Sequence, residues 1–287
     1  MSAEIRMTAS PPSKTAPWKA YFSIFRIELL QKVQYRIAAL AGAATSIFWG
    51  IVEITVYTVF YRYADNNAAG IAAGMTLQQL ASYIWLGQFM FLIQPHVPGE
   101  FTQKITSGDV GLELCRPMRL YRHWFARLAA INLSSLPVRG AMVILAGILL
   151  PGGYRMSLPA SPAGFAAMLV SAVGSLLLCT SYGMFVTSVR MNVSWGNGPM
   201  FILLLVPGVL SGTYLPLQLW PDFMQRFLLL QPFAGYADLP IRLYIGSLAP
   251  SDAVWAVGLQ ILWSGFFIFL GNLIMNRQLK NIVVQGG

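Results

Sequence analysis

The chain has 287 residues, 56% of them hydrophobic and only 10% charged, with a mean hydropathy of +0.60. A soluble fold carries roughly a quarter charged residues and would lack the polar side chains to cover its surface here, so lipid is the solvent for much of the chain. The excess of 19 Lys and Arg over 10 Asp and Glu is therefore read first as membrane topology and not as nucleic-acid binding, and two cysteines far apart, Cys115 and Cys179, fit neither a disulfide framework nor a zinc cluster.

Residues 1–17, with Pro11, Pro12 and Pro17 among small polar residues, read as a disordered lead. Trp18, Phe22, Phe25 and Leu29 then recur at helical spacing with Lys19 and Arg26 to one side. That pattern predicts an amphipathic helix over 18–36 lying in the cytoplasmic interface, either as a membrane anchor or as a gating element that touches a partner. No signal peptide is expected, because the first apolar run starts at Ile37 and continues without a cleavage-like end.

A span needs about 20 mainly apolar residues to cross a hydrocarbon layer of about 30 Å. Residues 37–60, 128–150, 163–189 and 253–275 meet that requirement. Two weaker stretches are 77–94, which carries Gln78, Gln79 and Gln88, and 198–215, which is interrupted by Pro207. The prediction is an all-α polytopic membrane protein with six transmembrane helices over 37–275 and a tail over 276–287. Residues 223–234, bounded by Pro221 and broken by Gln231 and Pro232, are too short to cross and read as re-entrant or interfacial, within an outer segment over 216–250.

Basic residues decide the orientation. Arg6, Lys14, Lys19, Arg26, Lys32 and Arg36 precede the first span, and Lys104, Arg116, Arg119, Arg122 and Arg127 lie between the second and third. The positive-inside rule then places both termini and the loop over 95–127 in the cytoplasm.

That loop is the most polar part of the chain: Glu100-Phe101-Thr102-Gln103-Lys104-Ile105, then Ser107-Gly108-Asp109-Val110, then Leu114-Cys115-Arg116-Pro117. Phe101, Ile105, Val110, Leu112 and Leu114 need a surface to cover them, so a helix followed by a Ser-Gly-Asp turn predicts docking onto another protein. The plainer reading is a positive-inside connector.

The order Glu-Phe-x-x-Lys-Ile-x-Ser-Gly-Asp-Val followed by Leu-x-Arg-Pro resembles the cytoplasmic loop of type-2 ABC transporter permeases, in particular the six-span group. A second block, Ser211-Gly212, Leu215-Pro216-Leu217, Trp220-Pro221 and Gln231-Pro232-Phe233 with Pro240, Tyr244 and Gly246, is similar to that group's extracellular re-entrant region between the last two spans. The resemblance implies a permease subunit in the bacterial inner membrane that exports a hydrophobic or amphipathic substrate. It also implies separate ABC ATPase subunits that bind ATP and Mg, no cofactor in this chain, and a second permease subunit, with a heteromeric pair favoured over two copies. By the motif match, Glu100, Phe101, Lys104, Gly108, Asp109, Arg116 and Pro117 sit in or beside the coupling helix that rests on the ATPase. The chain carries no Gly-x-x-x-x-Gly-Lys-Ser/Thr phosphate loop, which agrees with a nucleotide site on another subunit.

Two charges fall inside predicted spans. Glu53 and Arg139 lie about 24 and 17 Å from the cytoplasmic starts of the first and third spans. A long Arg side chain can close that difference, so a structural ion pair is expected, with a place on the translocation path or at the outer interface as the other readings. The span aromatics Phe48, Trp49, Tyr57, Trp85, Phe89 and Phe91 either line an apolar path or pack and anchor the helices.

An intramembrane enzyme would need paired carboxylates, or a nucleophile with a base, at matched depth. His96 and His123 flank the loop, and Asp222, Asp238 and Asp252 in proline-rich sequence read as caps and turns, so no catalytic residue is assigned. A secondary transporter, the other alternative, would carry more intramembrane charge and an internal repeat.

Overall fold

Caps and prolines set where the helices begin and end. In the computed structural model, which describes residues 18–34, 36–63, 75–114, 119–191 and 198–281, every regular element is helical. Helix α1 is Trp18–Gln34 and α2 is Arg36–Tyr63. Thr76 starts α3 (Leu77–Met90): its hydroxyl accepts from the Gln79 N–H while the Gln79 side chain accepts from the Thr76 N–H, a reciprocal capping box. A 3₁₀ turn, Phe91–Ile93, follows.

Helix α4 (Gly99–Ser107) stops at Gly108, whose φ of 81° is left-handed, and α5 (Val110–Leu114) comes next. Helix α6 (Leu120–Ser134) continues through a π-helical turn, Leu136–Gly140, into α7 (Ala141–Leu149). Pro137, which has no N–H to donate, sits in that turn. Ser161 caps and Pro162 opens α8 (Pro162–Arg190), and α9 (Gly198–Leu210) contains Pro207. Two short helices, α10 (Asp222–Leu230) and α11 (Asp238–Ile245), precede α12 (Ala253–Asn281).

Four helical stretches are long and apolar enough to cross a membrane: Ile37–Tyr61, Leu120–Leu149, Pro162–Arg190 and Pro250–Lys280. The expected second and fifth spans are shorter. At 14 and 13 residues, α3 and α9 reach only about 20 Å each. Two of the three glutamines of α3, Gln78 and Gln79, fall in its first turn, the second spent on the cap, while Gln88 lies in its last turn, and α9 ends where Ser211 and Thr213 fold back onto the Gly208 carbonyl. The third span begins at Leu120, not 128, because Leu120, Trp124 and Leu128 form one buried i, i+4 stripe that carries the helix into the expected loop. In the outer segment the chain breaks at Gln231–Pro232 as its sequence indicates, but α11 lies against α8 and α3 and its residues are buried throughout.

Helix α8 is the hub, touching α6, α9, α11 and α12. Lipid gives no hydrophobic drive to helix association, so close approach depends on small residues and polar clasps. Gly174 provides such a place: a Cβ there would stand 2.2 Å from the Gln260 Oε1 of α12. The Gln260 amide donates to the Ser171 carbonyl at 3.0 Å and the Gly235 carbonyl at 2.8 Å, tying α12 to α8 and to the chain before α11. On the other flank Trp85 of α3 lies between Gly50 of α2 and Gly147 of α7, where either added Cβ would come within 2.9 Å of the indole. The outward faces remain apolar, with Val173 of α8, Phe269 of α12 and Val56 of α2 each more than 60% exposed, as a lipid-facing surface requires.

Candidate functional site

The residues singled out between α3 and α6 assemble around one buried ring. Phe101 of α4 is fully buried and meets Trp124 of α6 edge to face at 4.9 Å, and Val110, Leu128, Met184 of α8 and Met275 of α12 complete the cluster. The sequence expectation that the loop's apolar residues need another protein to cover them is corrected for Phe101 and Val110: this chain's own α6, α8 and α12 cover them. A 30-residue segment that lacks a core of its own borrows one from the bundle on which it lies.

A ladder of charges borders this cluster. Lys104 bridges Glu100 at 3.0 Å and Glu113 at 2.5 Å, and Arg127 bridges Glu100 at 2.5 Å and Glu28 of α1. The buried Glu113 carboxylate also accepts the Trp124 indole N–H at 2.7 Å. Arg127 and Lys104 both approach the Trp124 ring, at 4.9 and 5.5 Å from its centre, so the indole packs against Phe101 while attracting two cations. The hydrogen bond from Arg127 is the main reason the Glu100 carboxyl is held down at about 2; partial burial opposes it and Lys104 adds to it. The carboxylate at the start of α4 is thus satisfied within the chain, and the helix N-terminus beside it favours the same charge.

The exposed part is the turn. Ser107, Gly108 and Asp109 all face outward, with the Ser107 hydroxyl 2.7 Å from the Asp109 carboxylate, and open space surrounds the Gly108 Cα. The element is therefore a fixed base, built on Phe101 and the charge ladder, with an open tip. Of the residues named from sequence, Glu100, Phe101, Lys104, Gly108 and Asp109 share this element, whereas Arg116 and Pro117 lie outside the described residues. Sequence reasoning missed Glu28, Glu113 and Trp124, and counted Arg127 only as topology. The available signal was the scarcity of acids, since each carboxylate among so many cations is drawn to a partner.

Glu53 and Arg139 do not form the expected ion pair. Arg139 leaves the π-helical turn toward α2, donates to the Ser46 hydroxyl at 2.9 Å and packs on Gly42, about two and three turns from Glu53 respectively. Glu53 accepts from Gln88 of α3 at 3.4 Å. Matching depth on two helices was not enough, because the side chain also needs the right azimuth. Asp238 likewise exceeds the turn role expected of it: fully buried, it pairs with Arg242 at 2.5 Å and accepts the Tyr83 hydroxyl at 2.7 Å, fastening α11 to α3. Asp252 lies in a 3₁₀ turn before α12.

A family model described as "ABC-2 family transporter protein" matches residues 36–286, which include both sequence blocks and the whole α4–turn–α5 element. No curated protein matches the chain.

Proposed function

The chain belongs to the ABC-2 family of transporter proteins and is a multi-pass membrane subunit of an ABC transporter, and from this premise we propose that it exports a hydrophobic or amphipathic substrate across the bacterial inner membrane. Members of this family work with ABC ATPases. In the proposed mechanism the ATPase docks on Ser107, Gly108 and Asp109, with both termini cytoplasmic, α1 in the inner interface, and α3 and α9 completing a six-segment membrane domain. Binding of ATP and Mg by the partner draws the ATPases together, and the permease halves rock apart in response. The second half is a related permease in a heteromeric complex. Arg116 and Pro117 are assigned to the same docking region, and α10 and α11 to the outer, re-entrant side.

The observation that carries this reading is the pairing of an immobilised base with an exposed tip. A solvated connector would not bury Phe101 completely or spend Glu28, Glu100 and Glu113 on two cations. Co-purification with the products of neighbouring genes tests it. Gly108→Pro cannot adopt the left-handed φ of 81° and loses the N–H that bonds to Ile105 at 3.3 Å, so this variant is expected to stay inserted while retaining less ATPase and transporting less. Parent-like pull-down and transport in Gly108→Pro would remove the docking assignment. Transport that ignores ATP depletion and follows a proton gradient would favour a secondary transporter instead.

A further inference from the structure

We infer that the side of α2 around Glu53 is a binding site for a lipophilic cation, an inference that rests on the exporter reading and names its substrate class. Glu53 lies about 12 Å from the Tyr61 end of the span, well inside the hydrocarbon layer. Its carboxylate is half-buried, and among the described residues no cation stands within 4 Å of it. Gln88 of α3 donates a long hydrogen bond to it at 3.4 Å. Arg139, the other charge inside a span, donates to Ser46 instead.

The surroundings specify what can pair with this group. Trp49, Val56 and Phe60 stand at i−4, i+3 and i+7 from Glu53, hence on the same side of α2, and they are 57%, 62% and 51% exposed. An ionised carboxylate beside such a surface is costly in lipid, so the group either takes up a proton or is met by a cation, and a cation that arrives displaces that proton. Calcium or magnesium would want six or more oxygen ligands and zinc four ligands, which one carboxylate and one amide do not provide, and no group of three or more His, Cys, Asp or Glu gathers among the described residues. A hydrated inorganic cation would have to shed its water into an apolar surface. A cation whose charge is already shielded by hydrocarbon pays little for that transfer, packs on Val56 and Phe60, and gains further attraction from the Trp49 ring, held edge-on to Phe48 at 6.0 Å.

Radiolabelled tetraphenylphosphonium is the probe, applied to the full chain with its co-purifying subunits in phosphatidylcholine nanodiscs. Saturable binding is expected, with triphenylphosphine oxide, apolar but neutral, failing to compete. Glu53→Gln keeps the shape and an acceptor for Gln88 and is expected to weaken binding by about tenfold or more, and Trp49→Leu by about threefold or more. Should Glu53→Gln not be recovered as a monodisperse protein, Trp49→Leu at its exposed position decides the matter alone. Absence of saturable binding, or affinity unchanged in the variants, overturns the inference, as it would if a partner subunit covers this face. Binding is measured without nucleotide, so neither result bears on whether an ATPase is retained, and failure here is distinguishable from failure of the exporter reading.

Discussion

Replacing Phe101 by Ala separates the base of the α4–turn–α5 element from its tip. The side chain is fully buried among Trp124, Val110, Leu128, Met184 and Met275, so truncation removes its transfer free energy and leaves a cavity walled by three long helices that cannot readily collapse. Buried Phe→Ala changes cost about 3–5 kcal/mol, of which the edge-to-face contact with Trp124 contributes about 1 kcal/mol. The helix bundle has its own clasps at Gln260 and Trp85, so the loss falls on the docking of α4 and α5. At about 1.4 kcal/mol per decade, a local opening free energy reduced by that amount raises amide exchange in α4 and α5 by roughly a hundredfold or more, up to the limit set by unprotected peptide. Hydrogen exchange followed by mass spectrometry in nanodiscs reads both regions in one experiment. Exchange in α4 and α5 that stays within about threefold of the parent would refute the anchoring argument, and equal acceleration in α8 and α12 would show that Phe101 supports the bundle itself.

Glu100 gives a pH dependence. Its folded-state carboxyl titrates at about 2, below the ordinary carboxylate value, so its contribution is present above about pH 4.5 and is lost as pH falls through the folded value. With the side chain 46% exposed, that contribution is under about 1 kcal/mol after solvent screening. Pepsin cleavage within α4 and α5 should therefore rise between about pH 4.5 and 2 in the parent more than in Glu100→Gln, and identical profiles would deny the Arg127 contact its role. Gly212→Ala should destabilise the packing of α11 on α3: the backbone is left-handed at φ 81° and the added Cβ would stand 2.4 Å from the Tyr83 hydroxyl. The strain alone costs about 1–2 kcal/mol, and a melting temperature unchanged from the parent would mean that the Tyr83–Asp238 contact yields freely.

Much of the architecture was legible because membrane helices announce themselves by length and apolarity, and the turn at Gly108 and the break at Pro232 did so by residue type. Boundaries were less legible where a helix leaves the hydrocarbon yet stays buried. Tyr121-Arg122-His123-Trp124 looks like loop by polarity, but α8 and α12 cover one of its faces, and nothing local in the sequence says so. The amphipathic stripe on α1 was only partly informative: Phe22 is exposed while Phe25 is half-buried, and Glu28, passed over in a row of apolar residues, carries the contact to Arg127. Partner choice across tens of residues depends on azimuth as well as depth, which is why Glu53 and Arg139 were matched on paper and are apart in space.

In the proposed mechanism a push on this small turn would have a contiguous route into the membrane helices. Coupling needs contiguous contacts between stiff elements, because a flexible connector would absorb the displacement. Ser107, Gly108 and Asp109 project from a nine-residue helix whose buried face holds α6 through Trp124, and Arg127 on that same helix holds α1 through Glu28. Helix α6 in turn meets α8 through the buried Asn132–Thr180 hydrogen bond at 3.2 Å, and α8 carries α12 through Gln260. In the proposed mechanism a load on the tip would therefore be shared by α4, α6, α8 and α12, and the π-helical turn at Leu136–Gly140 is where the helix that begins at Leu120 departs from regular α-helix. Helix α2, which bears Glu53 and Trp49, meets that turn, α3 and α7, so relative motion between this group and the α4–α6–α8–α12 group would reach it through the turn.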